Sequence, residues 1–220
     1  MHLSITFFMK KILLYILIPA LLIMLAFSIT PQGKKLKALH LPKHEAVFVK
    51  PSIPSSKHIQ IAAHAKDFIS KERYHDGYFF LLDLDIPSGK KRFFIYDLKN
   101  DSIINAGLVT HGNCNEYWLE EVKYDNRVGC GCSSLGKYKI GYAYYGKFGL
   151  AFKLHGLDPT NSNAFKRYVV LHSHECVPDH EVKEEICQSN GCPTVSPAFL
   201  IELQALIKGA KDPILLWIID

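Results

Sequence analysis

The chain has 220 residues, with 48% hydrophobic residues and 26 Lys and Arg against 21 Asp and Glu. That apolar content suits one ordinary domain with extensions. A net charge of +5 is too small to argue for nucleic acid, and the RNA-binding and zinc-finger signatures are missing, so no nucleic-acid partner is expected.

Lys10-Lys11 precedes an apolar run from Ile12 to Ile29 that only Pro19 and Ser28 interrupt. A bilayer span needs about 20 such residues, whereas a signal-peptide core needs roughly 7–15. Residues 1–30 are therefore expected to be an N-terminal membrane anchor, with a cleaved signal peptide as the alternative. Met9 reads as a natural start. Either form exports the rest of the chain to the periplasmic side of the cell envelope, anchored in the inner membrane if the segment is retained. Residues 31–57 carry Pro31, Pro42, Pro51 and Pro54 among scattered lysines, the composition of a semi-extended tether. The folded domain is expected over 58–220.

A helix is predicted from about Lys57 to Lys71 with Ser56 as its cap, because Ile61, Ala62, Ala65, Phe68 and Ile69 form one apolar stripe. The period then changes. Tyr78–Ile86 and Arg92–Leu98 read as strands joined by the turn Pro87-Ser88-Gly89-Lys90. A third strand, Ile103–Thr110, completes an antiparallel meander. Glycines and aromatics dominate from His111 to Gly156, with short strands near Tyr138–Tyr142 and Leu150–Leu154. Another apolar strand, Tyr168–Leu171, ends in His172. Ser196-Pro197 opens a second helix that Gly209 closes, buried along Phe199, Leu200, Leu203, Leu206 and Ile207. Ile214–Ile219 is a last buried strand. The predicted class is mainly β, with two flanking helices and an N-terminal hydrophobic helix.

Chemistry concentrates in Gln188-Ser189-Asn190-Gly191-Cys192-Pro193. Gly191 permits backbone angles that a side chain forbids, and Pro193 fixes the exit, so Cys192 is presented on a tight bend. Amides around Gly191 and Cys192 suit a developing oxyanion. His172, at the edge of its strand, suits a base that activates the thiol.

A strand ending in His172 and a Ser-x-Gly-Cys turn ending in Cys192 resemble the catalytic signature of murein L,D-transpeptidases, the YkuD-like family. The branch in which proline follows the cysteine is the nearer likeness. The resemblance runs from Phe79 to the C-terminus and includes Ser134-Leu135-Gly136-Lys137-Tyr138 and Tyr145-Gly146-Lys147-Phe148-Gly149-Leu150. It implies a β-sandwich-like catalytic domain in which Cys192 is the nucleophile and His172 the base. It further implies attack on a stem tetrapeptide of peptidoglycan, a thioester intermediate and a 3→3 crosslink, with no cofactor and no metal. His174, Ser189, Asn190 and Gly191 are the further candidates for orienting the base, forming the oxyanion hole or contacting substrate. Three departures stand out: Ser173 replaces a usual glycine, Asn190 replaces a common histidine, and no arginine follows Cys192. Lys137, Lys139, Lys147 and Arg167 are candidate substitutes for that arginine; Arg167, five residues before His172, is expected at the far end of the histidine strand, and Lys147 is preferred. Alternatives are an L,D-carboxypeptidase, with water as acceptor, and a noncatalytic envelope protein that binds metal or wall.

With Cys192 as nucleophile, five of the six cysteines remain and cannot all pair within one chain. A Cys176–Cys187 bridge, closing the loop between the histidine strand and the nucleophile turn, is the preferred pairing. The competing arrangement gathers His172, His174 and Cys176 with Cys130 and Cys132 around zinc.

Overall fold

Helix α1 spans Ser56–Lys71 and is capped by Ser55, whose Oγ accepts a hydrogen bond from His58 N at 3.2 Å. The cap falls one residue earlier than expected, because Ser55 is the serine held in an extended conformation. The early start lets the first turn reach Asp83: Lys57 Nζ lies 3.0 Å and His58 Nε2 2.8 Å from its carboxylate. Burial alone raises the Asp83 pKa, but the bonds from His58 and Lys57 outweigh it and hold the group below its usual range. These contacts belong to a computed structural model that describes residues 54–220. The expected anchor at 1–30, and the tether as far as residue 53, lie outside the described residues.

Strands β1 (Tyr78–Asp83), β2 (Phe93–Asp97) and β3 (Ser102–Gly107) form the expected antiparallel meander. Tyr78 pairs with Asp97 and Leu82 with Phe93. The first and second strands are shorter than their hydrophobic runs for a physical reason. Arg92 turns inward and donates to Val109 O at 2.9 Å and to Ile86 O at 3.0 Å, which fixes the connection between the two strands against the sheet as a loop. Beyond Gly107 the chain leaves β2, and Thr110 N donates to Thr194 O at 2.9 Å.

Strands β4 (Gly136–Gly146) and β5 (Gly149–Gly156) are one hairpin, longer than its glycine-rich composition suggested. Lys147-Phe148 is its two-residue tip, and Gly149 takes a φ of 78° in the left-handed region. Strands β6 (Val170–Ser173) and β7 (Thr194–Val195) follow, then helix α2 (Pro197–Gly209) and β8 (Leu215–Ile219). Ser196 caps α2 as expected, accepting from Phe199 N at 3.2 Å. Gly209 is the last helical residue rather than the stop. Ala210 is the C-cap, and its N–H still reaches Leu206 O at 3.1 Å.

The eight strands make one hydrogen-bonded sheet in the order β3-β2-β1-β8-β4-β5-β6-β7. The last strand is thus central, parallel to β1 and antiparallel to β4. That position explains why Leu215-Leu216-Trp217-Ile218-Ile219 is apolar on both faces. The Thr110–Thr194 bond brings the chain beyond β3 against β7, so the layered body expected of the domain is a single sheet whose two ends meet.

Alternation along the strands divides the core. Phe80, Leu82, Phe93, Ile95, Phe152 and Leu171 pack with Phe199, Leu200 and Leu203 of α2. Phe79, Leu81, Phe94, Tyr96 and Leu215 pack on the other face against Ala62, Ala65 and Ile69 of α1. Each fully buried Leu or Phe contributes about 1.5–3 kcal/mol. The sheet is therefore a rigid base for what lies on β5, β6 and β7.

Candidate active site

Parallel pairing of β6 with β7 sets His172 opposite Thr194, two residues beyond Cys192, and antiparallel pairing with β5 sets it opposite Ala151. The turn that carries Cys192 is clipped to the segment after β3. Ser189 N donates to His111 O at 2.9 Å, and Asn113 N donates to Ser189 O at 2.8 Å. Ser189 Oγ lies 2.7 Å from Cys192 O and accepts from Gly191 N at 3.2 Å. Gly191 has a φ of 100°, and a Cβ there would stand 2.5 Å from Cys132 O. Only glycine fits both constraints.

Below the turn, Arg92 Nη2 lies 3.0 Å from His111 Nδ1. Burial, helped by the Arg92 charge, lowers the His111 pKa to about 4. This neutral histidine is a strut: its carbonyl holds Ser189. Arg167 lies under the turn as well, donating to Asp125 O at 2.8 Å, to Cys132 O and to Ser134 Oγ. By sequence, Arg167 was expected at the far end of the histidine strand. Tyr168, with a φ of 58°, separates it from β6, which starts only at Val170, and the guanidinium lies beside Gly191 instead.

His172 is 5% exposed, and its Nδ1 is 3.0 Å from Ser173 O. A carbonyl only accepts, so Nδ1 carries the proton of the neutral ring and Nε2 keeps its lone pair. Nε2 lies 3.1 Å from Thr194 Oγ1. Phe148, from the β4–β5 tip, stacks on the ring at 4.8 Å and 19°. Burial lowers the His172 pKa, opposed by the bond to Ser173. The Cys192 thiol is 3.8 Å from Tyr168 O, and burial raises its pKa above the usual thiol value. Both groups consequently rest uncharged, which suits proton transfer during attack better than a preformed thiolate–imidazolium pair. The Cys192 amide donates to no group among the described residues and is free to meet an oxyanion.

A cleft of about 240 Å³ is lined by Phe148, His172, His174, Ser189, Asn190 and Cys192, which unites five of the sequence candidates. Gly191 is the buried hinge beneath it. Lys147 is exposed at the hairpin tip with Nζ 5.5 Å from the Phe148 ring centroid, outside the lining. Lys137 is paired with Asp158 at 2.8 Å. A larger cleft of about 580 Å³ lies beside α1, lined by Lys66, Ser70, Tyr74, His75 and Asp212 among others; Ser70 Oγ donates to Asp67 O at 2.8 Å rather than to a histidine.

Cys176 and Cys187 form a disulfide, with Cα atoms 6.1 Å apart, in the wall of the cleft. A second disulfide, Cys114–Cys132, was not anticipated and leaves Cys130 and Cys192 free. With Cys176 and Cys132 each in a disulfide, the five-residue zinc set does not form. Phe148, Thr194, Arg92 and His111 were missed as well. Only Phe148, between glycines at a hairpin tip, carried a readable signal.

The family model for the L,D-transpeptidase catalytic domain matches residues 52–216. No curated protein matches the chain. Among solved structures, the L,D-transpeptidase from Xylanimonas cellulosilytica is 16% identical, with a TM-score of 0.39, over 67% of this chain and 62% of its own. The helical cell shape determining protein Pgp2 from Campylobacter jejuni is 12% identical, with a TM-score of 0.40, over 76% of this chain and 56% of its own. This chain therefore spans less than two thirds of either structure.

Proposed function

Because the chain belongs to the L,D-transpeptidase catalytic-domain family, we propose that it is a cell-wall cysteine acyl transferase acting through Cys192 on peptidoglycan stem tetrapeptides. Cys192 Sγ attacks the carbonyl between the third and fourth residues, and His172 Nε2 takes the thiol proton. The Cys192 amide meets the oxyanion, with Gly191 and Ser189 holding the turn that aims it. Collapse breaks the C–N bond, and His172 returns the proton to the departing amine of the fourth residue. An amine from a second stem then attacks the thioester, regenerating the thiol and leaving a 3→3 crosslink. His174 and Asn190, at the rim, contact the donor peptide.

The observation that carries this reading is the single cleft holding Cys192 together with His172, whose Nδ1 proton is already committed to Ser173 O. No step calls for a cofactor. The apolar run Ile12–Ile29 supports export of the domain to the periplasmic side, on a tether to the inner membrane.

The test is incubation of the full chain with a stem tetrapeptide and analysis of products by mass spectrometry. Release of the terminal amino acid with formation of a crosslinked dimer is expected, and Cys192→Ala abolishes both. Release without dimer, with a second stem in excess, makes water the acceptor and the protein a carboxypeptidase. Turnover surviving in Cys192→Ala overturns the reading.

A further inference from the structure

Lys153 is the residue on the acyl-transfer face that the proposed chemistry leaves unused. It lies in the middle of β5, where Phe152 and Leu154 point into the core and Lys153 takes the opposite face. Ala151, two residues before it on that face, pairs with His172, and Lys153 pairs with Val170. Lys153 is thus one strand across from the backbone that Cys192 faces, since the thiol contacts Tyr168 O.

The lysine is 8% exposed. Its Nζ lies 5.1 Å from the Tyr144 ring centroid, 5.5 Å from Phe165 and 5.1 Å from Tyr168. It has no carboxylate partner and no hydrogen bond among the described residues. A cation taken from water without a counterion is costly. Three ring faces within about 6 Å offset part of that cost, but they leave three N–H donors without proper acceptors. Nor is the ammonium among the sealed, unpartnered polar atoms, so it remains reachable from solvent. A positive charge on this site is also felt at the thiol, where Lys153 and Arg167 oppose the effect of burial.

We propose that Lys153, which lies outside the cleft lining and is joined to it through Tyr168, whose carbonyl faces the Cys192 thiol and whose ring faces the ammonium, takes the free C-terminal carboxylate of the amino acid that leaves the acyl donor. The proposal rests on the acyl-transfer reading and names the anion that reading requires. Chemistry selects this carboxylate: it lies one residue beyond the scissile carbonyl, at most about 3.6 Å of chain. Rival cations are engaged or displaced, since Lys137 is held by Asp158, Arg167 by carbonyls, and Lys147 stands exposed at the hairpin tip. In a partly desolvated ring cage the charge-assisted bond gains strength. A donor still carrying a further residue buries an uncharged amide there and leaves the lysine unpaired, which selects for tetrapeptides.

Two small reagents test the carboxylate site independently of any wall chemistry. Iodoacetate and iodoacetamide alkylate the same thiolate, so the ratio of their rates at Cys192 cancels changes in thiol acidity and reports a nearby cation. The full chain is alkylated and the Cys192 and Cys130 peptides are quantified by mass spectrometry. The iodoacetate-to-iodoacetamide ratio at Cys192 is expected to fall about tenfold in Lys153→Met, equivalent to roughly 1.4 kcal/mol, and to persist in Lys153→Arg. The ratio at Cys130 stays constant. Lys153→Gln is measured beside the Met variant, with melting temperatures for each, so that misfolding of one variant does not decide the outcome. Equal ratios at Cys192 in the wild type and in both neutral variants overturn the proposal.

The peptide arm compares kcat/KM for a stem tetrapeptide with a free terminus and with a terminal carboxamide. The wild type is expected to prefer the free acid, and Lys153→Met to lose about tenfold of that preference. If the alkylation ratio moves while the wild type turns over no stem peptide, the acyl-transfer reading fails and the carboxylate site stands. If peptide is turned over with the same preference in the wild type and the neutral variants, the assignment of Lys153 fails and the acyl-transfer reading stands.

Discussion

His58 and His172 are equally buried, each 5% exposed, and each has a phenylalanine ring centroid 4.8 Å away. Their partners set them apart. His58 Nε2 meets the Asp83 carboxylate at 2.8 Å, whereas His172 meets only a carbonyl and a hydroxyl. Phe94, against His58, is 8% exposed, and Phe148, against His172, is 50% exposed. The histidine–carboxylate pair looks the more catalytic on paper, yet it ties the first turn of α1 to the end of β1. The histidine without a carboxylate keeps an unprotonated Nε2 that meets only the Thr194 hydroxyl, stands in an open cleft and has a thiol in the same wall. A dyad geometry marks catalysis only where a nucleophile and room for substrate accompany it.

The sharpest way to break this contrast is to remove the proposed nucleophile from one region and leave the other intact. Cys192→Ala is expected to abolish acylation while circular dichroism and melting temperature stay near wild type. Unfolding of the variant would mean that the turn, rather than the thiol, had been tested.

Next come the two histidines themselves. His172→Ala is expected to cost about 10²- to 10⁴-fold in rate, and His174→Ala far less, because His174 is exposed and its Nδ1 accepts from Cys176 N at 3.1 Å. The proposed reaction uses His172 in its neutral form, and burial lowers its pKa. The acid limb of the kcat/KM profile should therefore fall below the ordinary histidine value of about 6.5. A limb above that value would contradict the neutral resting pair.

At the structural histidine the effect belongs in stability. Asp83→Asn leaves Lys57 and His58 without their carboxylate and is expected to cost about 3 kcal/mol, read by chemical denaturation, with little change in rate per folded molecule. The folded pKa of Asp83 is depressed. Its contribution is thus full above the unfolded value near 3.9 and is lost as pH falls through the lower folded value. The denaturation difference between wild type and Asp83→Asn should shrink over that acidic window.

The smallest change is expected at the tip over His172. Lys147→Ala should lower kcat/KM by less than about threefold, an effect comparable with a surface interaction. A much larger loss confined to substrates with a free carboxylate would return Lys147 to the donor site beside Lys153.

The two regions were not equally readable. The periodicity of Ile61, Ala62, Ala65 and Ile69 located α1 within one residue, because burial of a helical face is a local pattern. The role of His58 was invisible, since its partner is 25 residues away on another element. The position of β8 between β1 and β4 was hidden for the same reason: strand order is a long-range outcome that an apolar run does not encode. At the site, Cys192, His172, Ser189, Asn190 and His174 fall together because the turn chemistry and the strand end are local. Lys153 escaped notice as one charged residue inside an apolar strand. Its ring cage draws on β4 and the residues just before β6. Arg167 was misplaced because the positive φ of Tyr168 separates it from the strand it was assigned to.

The most direct measurement exploits the presence of two free thiols, Cys130 and Cys192. The full chain is mixed with a stem tetrapeptide, quenched in acid within the first turnover and digested, and the acylated peptide is identified by mass spectrometry. The account predicts a thioester carrying the first three stem residues on Cys192 alone, formed and consumed at rates consistent with turnover. Acylation on Cys130, or turnover with no adduct on Cys192 at any quench time, would contradict it.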